Sequence, residues 1–138
     1  MHMSSQPAYL VIHADLVVDF LRHGLWYQDR FIPMPPIPFR ILRQLVEQAN
    51  TIVPIEALLH AGWPDEVRGR EDLYPQIHYL RTLLEVNVRH PQVLITRWRD
   101  GYWLRMDGPG WFWWDHPEIR LHWAKDIHLG HRKTVVLF

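Results

Sequence analysis

The sequence predicts an α+β domain in which antiparallel strands, three helices and a β-hairpin follow one another, with a further segment after the hairpin. Three patterns lead to this prediction. Residues 8–34 are rich in β-branched and aromatic residues around short turns, residues 36–85 carry apolar residues at helical spacing, and residues 94–104 form two strand patterns around a glycine turn. Three short helices followed by a hairpin is the layout of a winged helix-turn-helix.

Length, net charge and cysteine content exclude several classes of protein. The 138 residues, 48% of them hydrophobic, suffice for one domain with a core. The net charge is zero, so any contact with nucleic acid must come from a local basic patch. The chain has no cysteine, which excludes disulfides and thiolate metal sites. It shows neither a bilayer-spanning apolar run nor a signal-peptide pattern at its start, so we expect no membrane partner and a cytoplasmic location.

The N-terminal strands are predicted in two stretches. The stretch "AYLVIHADLVVDF" (8–20) predicts one or two strands, and "LWYQDRFIPM" (25–34) predicts a hairpin around Gln28 and Asp29. Asp15 and Asp19 form a carboxylate pair on one strand face, and we expect them to flank a turn rather than to catalyse a reaction.

Prolines mark the start of the first helix, because proline is tolerated in a first helical turn. They occupy positions 33, 35, 36 and 38. The predicted apolar face of this helix consists of Phe39, Leu42, Leu45 and Val46, and Asn50 is its predicted stop.

The second helix follows a short β-branched pair, Ile52 and Val53, which we expect to be buried. It is predicted to start near Pro54 and to end at Gly62 and Pro64. Its predicted core face consists of Ile55, Leu58 and Leu59.

The third helix lies in "REDLYPQIHYLRTLLE" (70–85), where Leu73, Ile77, Leu80 and Leu84 recur at helical spacing. Pro75 cannot lie deep in a helix without losing a hydrogen bond. The predicted start is therefore about Leu73 to Pro75, with Asp72 as a cap and the acidic pair Glu71 and Asp72 at the entrance.

The segment 107–138 follows the hairpin and forms a predicted extension rich in aromatic residues and histidines. We predict a helix over about 116–129 and an edge strand over 134–138, with a strand at 119–123 as the competing interpretation. The aromatic run Trp111, Phe112, Trp113 and Trp114 could stack single-stranded bases, but such runs more often pack a core or an interface. His116, His122, His128 and His131 lack the spacing of a helical metal pair, so we expect no metal site.

Four segments together resemble the OmpR/PhoB-type effector domain of response regulators, over about residues 10–105. "FRILRQL" (39–45) is similar to the first helix of that family and "NTIVPIEALLHAGW" (50–63) to the turn, helix and Trp that follow it. "QIHYLRTLLE" (76–85) resembles the family's recognition helix, and "LITRWRDGYWL" (94–104) resembles its wing. The resemblance implies a winged-helix DNA-binding domain at 8–106. The extension 107–138 lies beyond the usual end of the family, and its aromatic run leads us to expect that it packs on the domain or on a partner subunit.

The family's function implies that double-stranded DNA is the partner. In that family the recognition helix lies in the major groove and the wing reaches the neighbouring minor groove. Carried over by position, the DNA-binding candidates on the helix and wing are Gln76, His78, Tyr79, Arg81, Thr96, Arg97, Trp98 and Arg99, and Trp63 stands where the family often places a Trp beside the phosphate backbone.

The sequence also departs from the family. Tyr79, Thr82 and Leu83 stand at commonly basic positions, Trp98 stands where the wing commonly carries an Arg, and Pro75 replaces a β-branched residue. A receiver domain is not expected within this chain. These departures keep open a winged helix used for protein–protein contacts or dimerisation through the extension. No phosphate loop, nucleophile elbow or HExxH motif is present, so we expect neither an enzyme nor a cofactor.

Overall fold

The computed structural model describes residues 9–13, 16–106 and 110–112, and the side chains of 16–106. In chain order the elements within these residues are β1 (Tyr9–His13), β2 (Leu16–Asp19), β3 (Gly24–Tyr27), β4 (Arg30–Pro33), α1 (Pro36–Glu47), β5 (Val53–Pro54), α2 (Ile55–Gly62), α3 (Arg70–Leu84), β6 (Leu94–Arg97), β7 (Gly101–Leu104) and β8 (Gly110–Phe112). They belong to two compact units, 1–34 with 106–138, and 35–105.

The first unit contains an antiparallel sheet with the strand order β4-β3-β2-β1-β8. The stretch 8–20 thus forms two strands, and the predicted hairpin at 25–34 is confirmed, with Gln28 at a φ of 56° in its turn. At Gly24 a Cβ atom would lie 2.4 Å from the Ile32 carbonyl oxygen, so this close approach of β3 to β4 requires glycine. Leu16, Val17, Val18 and Leu25 are buried.

Asp19 ends β2 and flanks the turn that follows, as predicted. Its carboxylate accepts hydrogen bonds from the backbone N–H groups of Leu21 (3.0 Å) and Arg22 (2.9 Å). The Trp26 indole N–H donates to the same carboxylate at 2.9 Å. These bonds give Asp19 a structural role, since such a carboxylate holds a turn in place. Asp15 lies outside the described residues.

The predicted extension contributes β8, in which Trp111 pairs with Leu10 of β1. The predicted helix at 116–129, the competing strand at 119–123, the strand at 134–138, Trp113, Trp114 and the four histidines all lie outside the described residues. Within the described part of the chain no group of His, Asp and Glu side chains is arranged to hold a metal ion.

The second unit begins with α1, whose first turn carries Pro36 and Pro38 as predicted. The predicted apolar face is confirmed, because Phe39, Leu42, Leu45 and Val46 are all buried. The predicted stop is wrong, since α1 ends at Glu47. Asn50 instead takes a φ of 63° in the turn beyond the helix and donates its N–H to the Leu104 carbonyl oxygen at 2.8 Å.

The predicted buried pair before the second helix is half wrong. Val53 is buried in β5, but Ile52 is 42% exposed, because successive side chains of an extended segment point to opposite sides. Helix α2 starts after Pro54 and ends at Gly62 as predicted. Ile55 and Leu58 are buried, and Leu59 is half-buried.

The third helix starts earlier than predicted, at Arg70, so Pro75 lies inside it. Gly69, rather than Asp72, is the capping residue. Asp72 lies in the first turn and completes a capping box with Gly69. Its carboxylate accepts the Gly69 N–H at 3.4 Å, and its own N–H donates to the Gly69 carbonyl at 3.0 Å. Proline costs the helix one bond, to the carbonyl of Glu71, and the acidic first turn suits the helix dipole.

The hairpin of β6 and β7 is confirmed, and β5 adds a third strand in the order β5-β7-β6. Its turn contains Arg99 at a φ of 72° and is followed by Gly101 at a φ of 154°. A Cβ atom on Gly101 would meet the Val53 carbonyl oxygen at 2.0 Å, so glycine lets β7 pair with β5. Three helices with this hairpin form a winged helix-turn-helix, as predicted. Among the described residues no helix has the length and apolarity needed to cross a bilayer.

Candidate nucleic-acid interface

Helix α3 buries one face and leaves the opposite face in solvent. Leu73, Ile77, Leu80 and Leu84 are buried. With about 100° between successive residues, the residues opposite them are Glu71, Pro75, His78 and Thr82, and all four are exposed. We call these four residues the outer stripe of α3. It carries one carboxylate and neither Arg nor Lys.

The predicted helix residues do not share this stripe. His78 lies on it, whereas Gln76 and Tyr79 are half-buried toward α1. Both line an apolar concavity of about 610 Å³ together with prolines of the α1 start and Pro75. Their side chains therefore reach the outer stripe only from its edge.

Arg81 points toward the wing. Its guanidinium donates to the Leu94 carbonyl oxygen at 2.9 and 3.1 Å and to the Thr96 hydroxyl at 2.8 Å. It also lies 5.8 Å from the centre of the Tyr102 ring. Leu94 and Thr96 belong to β6 and Tyr102 belongs to β7. The single guanidinium of Arg81 therefore connects α3 to both strands of the wing.

The wing presents its predicted residues to solvent. Thr96, Arg97, Trp98 and Arg99 are all exposed, and Trp98 reaches 77%. The Arg97 guanidinium lies 4.0 Å from the Asp100 carboxylate, and both side chains are more than 60% exposed (65% and 63%). An exposed pair at this separation holds Arg97 weakly.

A groove of about 370 Å³ separates the start of α3 from the wing. Among the residues that the structure describes, three arginines and no acidic residue line it; these lining residues are Ile55, Arg70, Tyr74, Thr96, Arg97, Trp98, Arg99, Gly101 and Tyr102. Burial raises the pKa of Tyr102 above its ordinary value, against the opposing effect of the Arg81 charge, so its phenol stays neutral at physiological pH. The groove is therefore lined by cationic and neutral side chains.

Trp63 is 6% exposed, so little of its side chain is accessible to a phosphate. The Arg68 guanidinium lies over that ring at 5.4 Å and pairs with Glu66 and, at 3.7 Å, with Asp72. Two carboxylates thus accompany the cation that lies over Trp63.

Sequence reasoning missed two residues of this region. Arg70 was placed ahead of the helix, because Pro75 was assumed to mark the helix start, and its role in the groove went unseen. Glu85 was assigned no role from the sequence, yet its carboxylate accepts backbone N–H bonds from Gln92 (2.7 Å), Val93 (3.0 Å) and Leu94 (2.6 Å). It fixes the loop between α3 and β6, and no local sequence pattern signals a contact between residues this far apart.

Comparison with known proteins places this geometry in context. The family model described as "Transcriptional regulatory protein, C terminal" matches residues 29–104. Regulatory protein VanR of Enterococcus faecium is 26% identical over 102 residues, which cover 72% of this chain and 44% of VanR. The chain spans less than half the length of that relative.

Solved structures share the fold. The response regulator DrrB of Thermotoga maritima, an OmpR/PhoB homolog, matches with a TM-score of 0.63 and 26% identity over 70% of this chain and 44% of DrrB. The DNA-binding domain of Klebsiella pneumoniae RstA, solved in complex with the RstA box, matches with a TM-score of 0.60 and 19% identity over 70% of this chain and 96% of that domain.

Proposed function

Because the chain belongs to the family of transcriptional regulatory protein C-terminal domains, as its resemblance to OmpR/PhoB-type effector domains predicted, we propose that it binds duplex DNA and regulates transcription. Helix α3 would enter the major groove and the wing would reach the adjacent minor groove. A protein that binds chromosomal DNA must be in the same compartment as that DNA, which agrees with the predicted cytoplasmic location.

The groove between α3 and the wing carries this proposal. Arg70 on one side faces Arg97 and Arg99 on the other, and no acidic residue within 16–106 lines the groove. A phosphate backbone passing through it would meet three guanidinium groups, which bind phosphate oxygens through paired N–H donors. A chain of zero net charge would in this way concentrate its cations where the DNA passes.

Reading of bases would fall to the outer stripe and its edge. His78 and Thr82 can donate or accept hydrogen bonds in the major groove, and Gln76 can pair with adenine if its side chain extends from the α1 side. Arg81 would act through the wing, since its donors hold Leu94 and Thr96. In this arrangement Arg81 is a positioning residue.

Fluorescence anisotropy with a labelled duplex of about 30 base pairs, at about 50 mM and 200 mM salt, tests the proposal. We expect Arg97→Ala and Arg99→Ala each to weaken binding by about 3- to 10-fold at the lower salt, because each removes a phosphate contact and flattens the salt dependence. Arg30→Ala is the matched control, since it removes an exposed arginine of β4. Absence of duplex binding by the wild-type chain at low salt contradicts the proposal.

The composition of the outer stripe favours a second candidate, a winged helix that binds protein. The stripe offers Pro75, His78 and Thr82 without a cation, and Glu71 would repel phosphates at its N-terminal end. Under this function the chain would show no affinity for duplex DNA at low salt and would associate with itself or with another protein through α3.

A further inference from the structure

Trp98 at the tip of the wing differs from the other tryptophans whose side chains the structure describes. It is 77% exposed, whereas Trp63 is buried and Trp26 and Trp103 are half-buried. A large aromatic ring left in water does not contribute to the core. Such rings mark surfaces that bind a ligand.

Two cations neighbour Trp98 in the chain and line the same groove. Arg97 and Arg99 are both exposed, and the ion pair of Arg97 within the described part of the chain is the weak one with Asp100. Among the described residues Arg99 shows no ion pair, and its φ of 72° turns the chain back into β7. The tip therefore presents an apolar ring and two guanidinium groups side by side, which suits duplex DNA, where stacked bases lie next to rows of phosphates.

Hydrogen bonds also fix the wing to helix α3. Arg81 bonds to Leu94 and Thr96 from α3, and the Glu85 carboxylate accepts the N–H groups at the start of β6. The Asp100 N–H donates to the Arg97 carbonyl at 3.0 Å and closes the turn beneath Trp98. These hydrogen bonds hold the wing in one conformation, so Trp98 can insert into a ligand without displacing the hairpin.

We propose that Trp98 is an apolar wedge that inserts between two stacked base pairs from the minor groove, while Arg97 and Arg99 bind phosphates next to that step. This inference rests on the proposed duplex-DNA function. Minor-groove proteins insert apolar side chains in this way and kink the duplex, at the cost of partly unstacking one base step. The favoured ligand is then a duplex with an easily unstacked pyrimidine–purine step, such as TA.

The wedge also supplies a source of sequence preference that the outer stripe of α3 lacks. The stripe has no arginine to pair with guanine, whereas a wedge selects sequence by how readily the DNA deforms. An arginine at position 98 would favour the opposite ligand, a stiff A-tract with a narrow minor groove.

The test uses the full chain at about 50 mM salt and two duplexes that differ only at their centre, one with a TA step and one with an A-tract. The TA duplex carries 2-aminopurine at the step, because the fluorescence of this base rises when it is unstacked. We expect the wild-type chain to raise that fluorescence and to bind the TA duplex roughly tenfold more tightly than the A-tract duplex. Trp98→Ala should keep binding both duplexes, with no fluorescence rise and no preference.

Two further variants complete the experiment. Trp98→Arg should bind at least as tightly as the wild type, yet without unstacking and with its preference moved toward the A-tract. Tyr27→Ala removes a 43% exposed aromatic residue of β3 and should behave as the wild type. Position 98 is exposed, so these changes should leave the circular dichroism spectrum unchanged.

The outcomes separate the inference from the function on which it rests. If the wild-type chain binds duplex DNA without unstacking the step, or if Trp98→Ala unstacks it equally, the wedge is wrong and the DNA-binding function stands. Tighter binding to the single strand than to the duplex also overturns the wedge. If the wild type binds neither duplex, both proposals fail together.

Discussion

At the scale of the residue, Asp19 combines complete burial with a charge. Its exposed fraction is 0%, and its carboxylate accepts bonds from two backbone N–H groups, from the Trp26 indole and from the Arg22 guanidinium at 3.2 Å. A buried carboxylate stabilises the native state only while it accepts hydrogen bonds from such donors. Its removal leaves these donors, among them the indole N–H of the half-buried Trp26, without their acceptor.

Replacement of Asp19 should therefore destabilise the chain strongly. We expect Asp19→Ala to lower the free energy of unfolding by about 2–4 kcal/mol, and Asp19→Asn by about 1–2 kcal/mol, because an amide keeps one acceptor but turns its N–H₂ toward a donor. Urea denaturation followed by circular dichroism gives these values. Asp65→Ala, at an exposed loop position, should change the free energy by less than about 0.5 kcal/mol. A loss below about 1 kcal/mol for Asp19→Ala would contradict this role.

At the scale of the element, the apolar spacing of the helices was predictable and their ends were not. Phe39, Leu42 and Ile77 are buried as their periodicity predicts, because burial follows from 3.6 residues per turn. The ends of α1 and α3 depend on a few bonds of small energy. The bonds between Gly69 and Asp72 start α3 before Pro75, although the local rule for proline predicted a later start.

Pro75 therefore destabilises helix α3, and a substitution can remove this destabilisation. Alanine at this position would restore an N–H donor for the Glu71 carbonyl, and the exposed side chain contributes nothing to the core. We expect Pro75→Ala to raise the free energy of unfolding by about 1–2 kcal/mol, a gain reduced by the greater freedom of the unfolded chain. Urea denaturation again measures the change.

Pro64→Ala provides the contrast, because Pro64 lies in the turn after α2. There the loss of proline should cost about 0.4–1 kcal/mol through the unfolded state alone. A lower stability for Pro75→Ala than for the wild type would mean that the helix is not continuous through this position.

At the scale of the whole molecule, the fold was predictable from the order of its elements, but the site was only partly so. Position in a family motif assigned Arg81 to the DNA, whereas its direction on α3, set by the angle from the buried stripe, takes it to the wing. Arg70 joined the groove because of where α3 begins. Spacing along the chain gives the angle of Arg81 from the buried stripe, but it does not give which distant segment lies on that side of the helix or where the helix begins.

The neutral charge of the molecule and the cation-free outer stripe lead to one test that separates DNA binding from protein binding. Thr82 stands at a commonly basic position, is exposed, and donates its hydroxyl to the Tyr79 carbonyl at 2.6 Å. Arginine there loses only that local bond and suits a helix better. If α3 faces DNA, Thr82→Arg should tighten duplex binding several-fold and steepen the slope of log affinity against log salt by about 0.9.

The control must carry the same net charge elsewhere. Leu21→Arg does so at a 59% exposed position in the turn after β2, and it should leave the slope unchanged if the added charge acts locally. If the outer stripe instead binds protein, Thr82→Arg should weaken self-association measured by light scattering, because a charge would be buried at the interface, and DNA affinity should stay undetectable. Equal gains in duplex affinity from both variants would show that bulk charge, and not the position of α3, governs the contact.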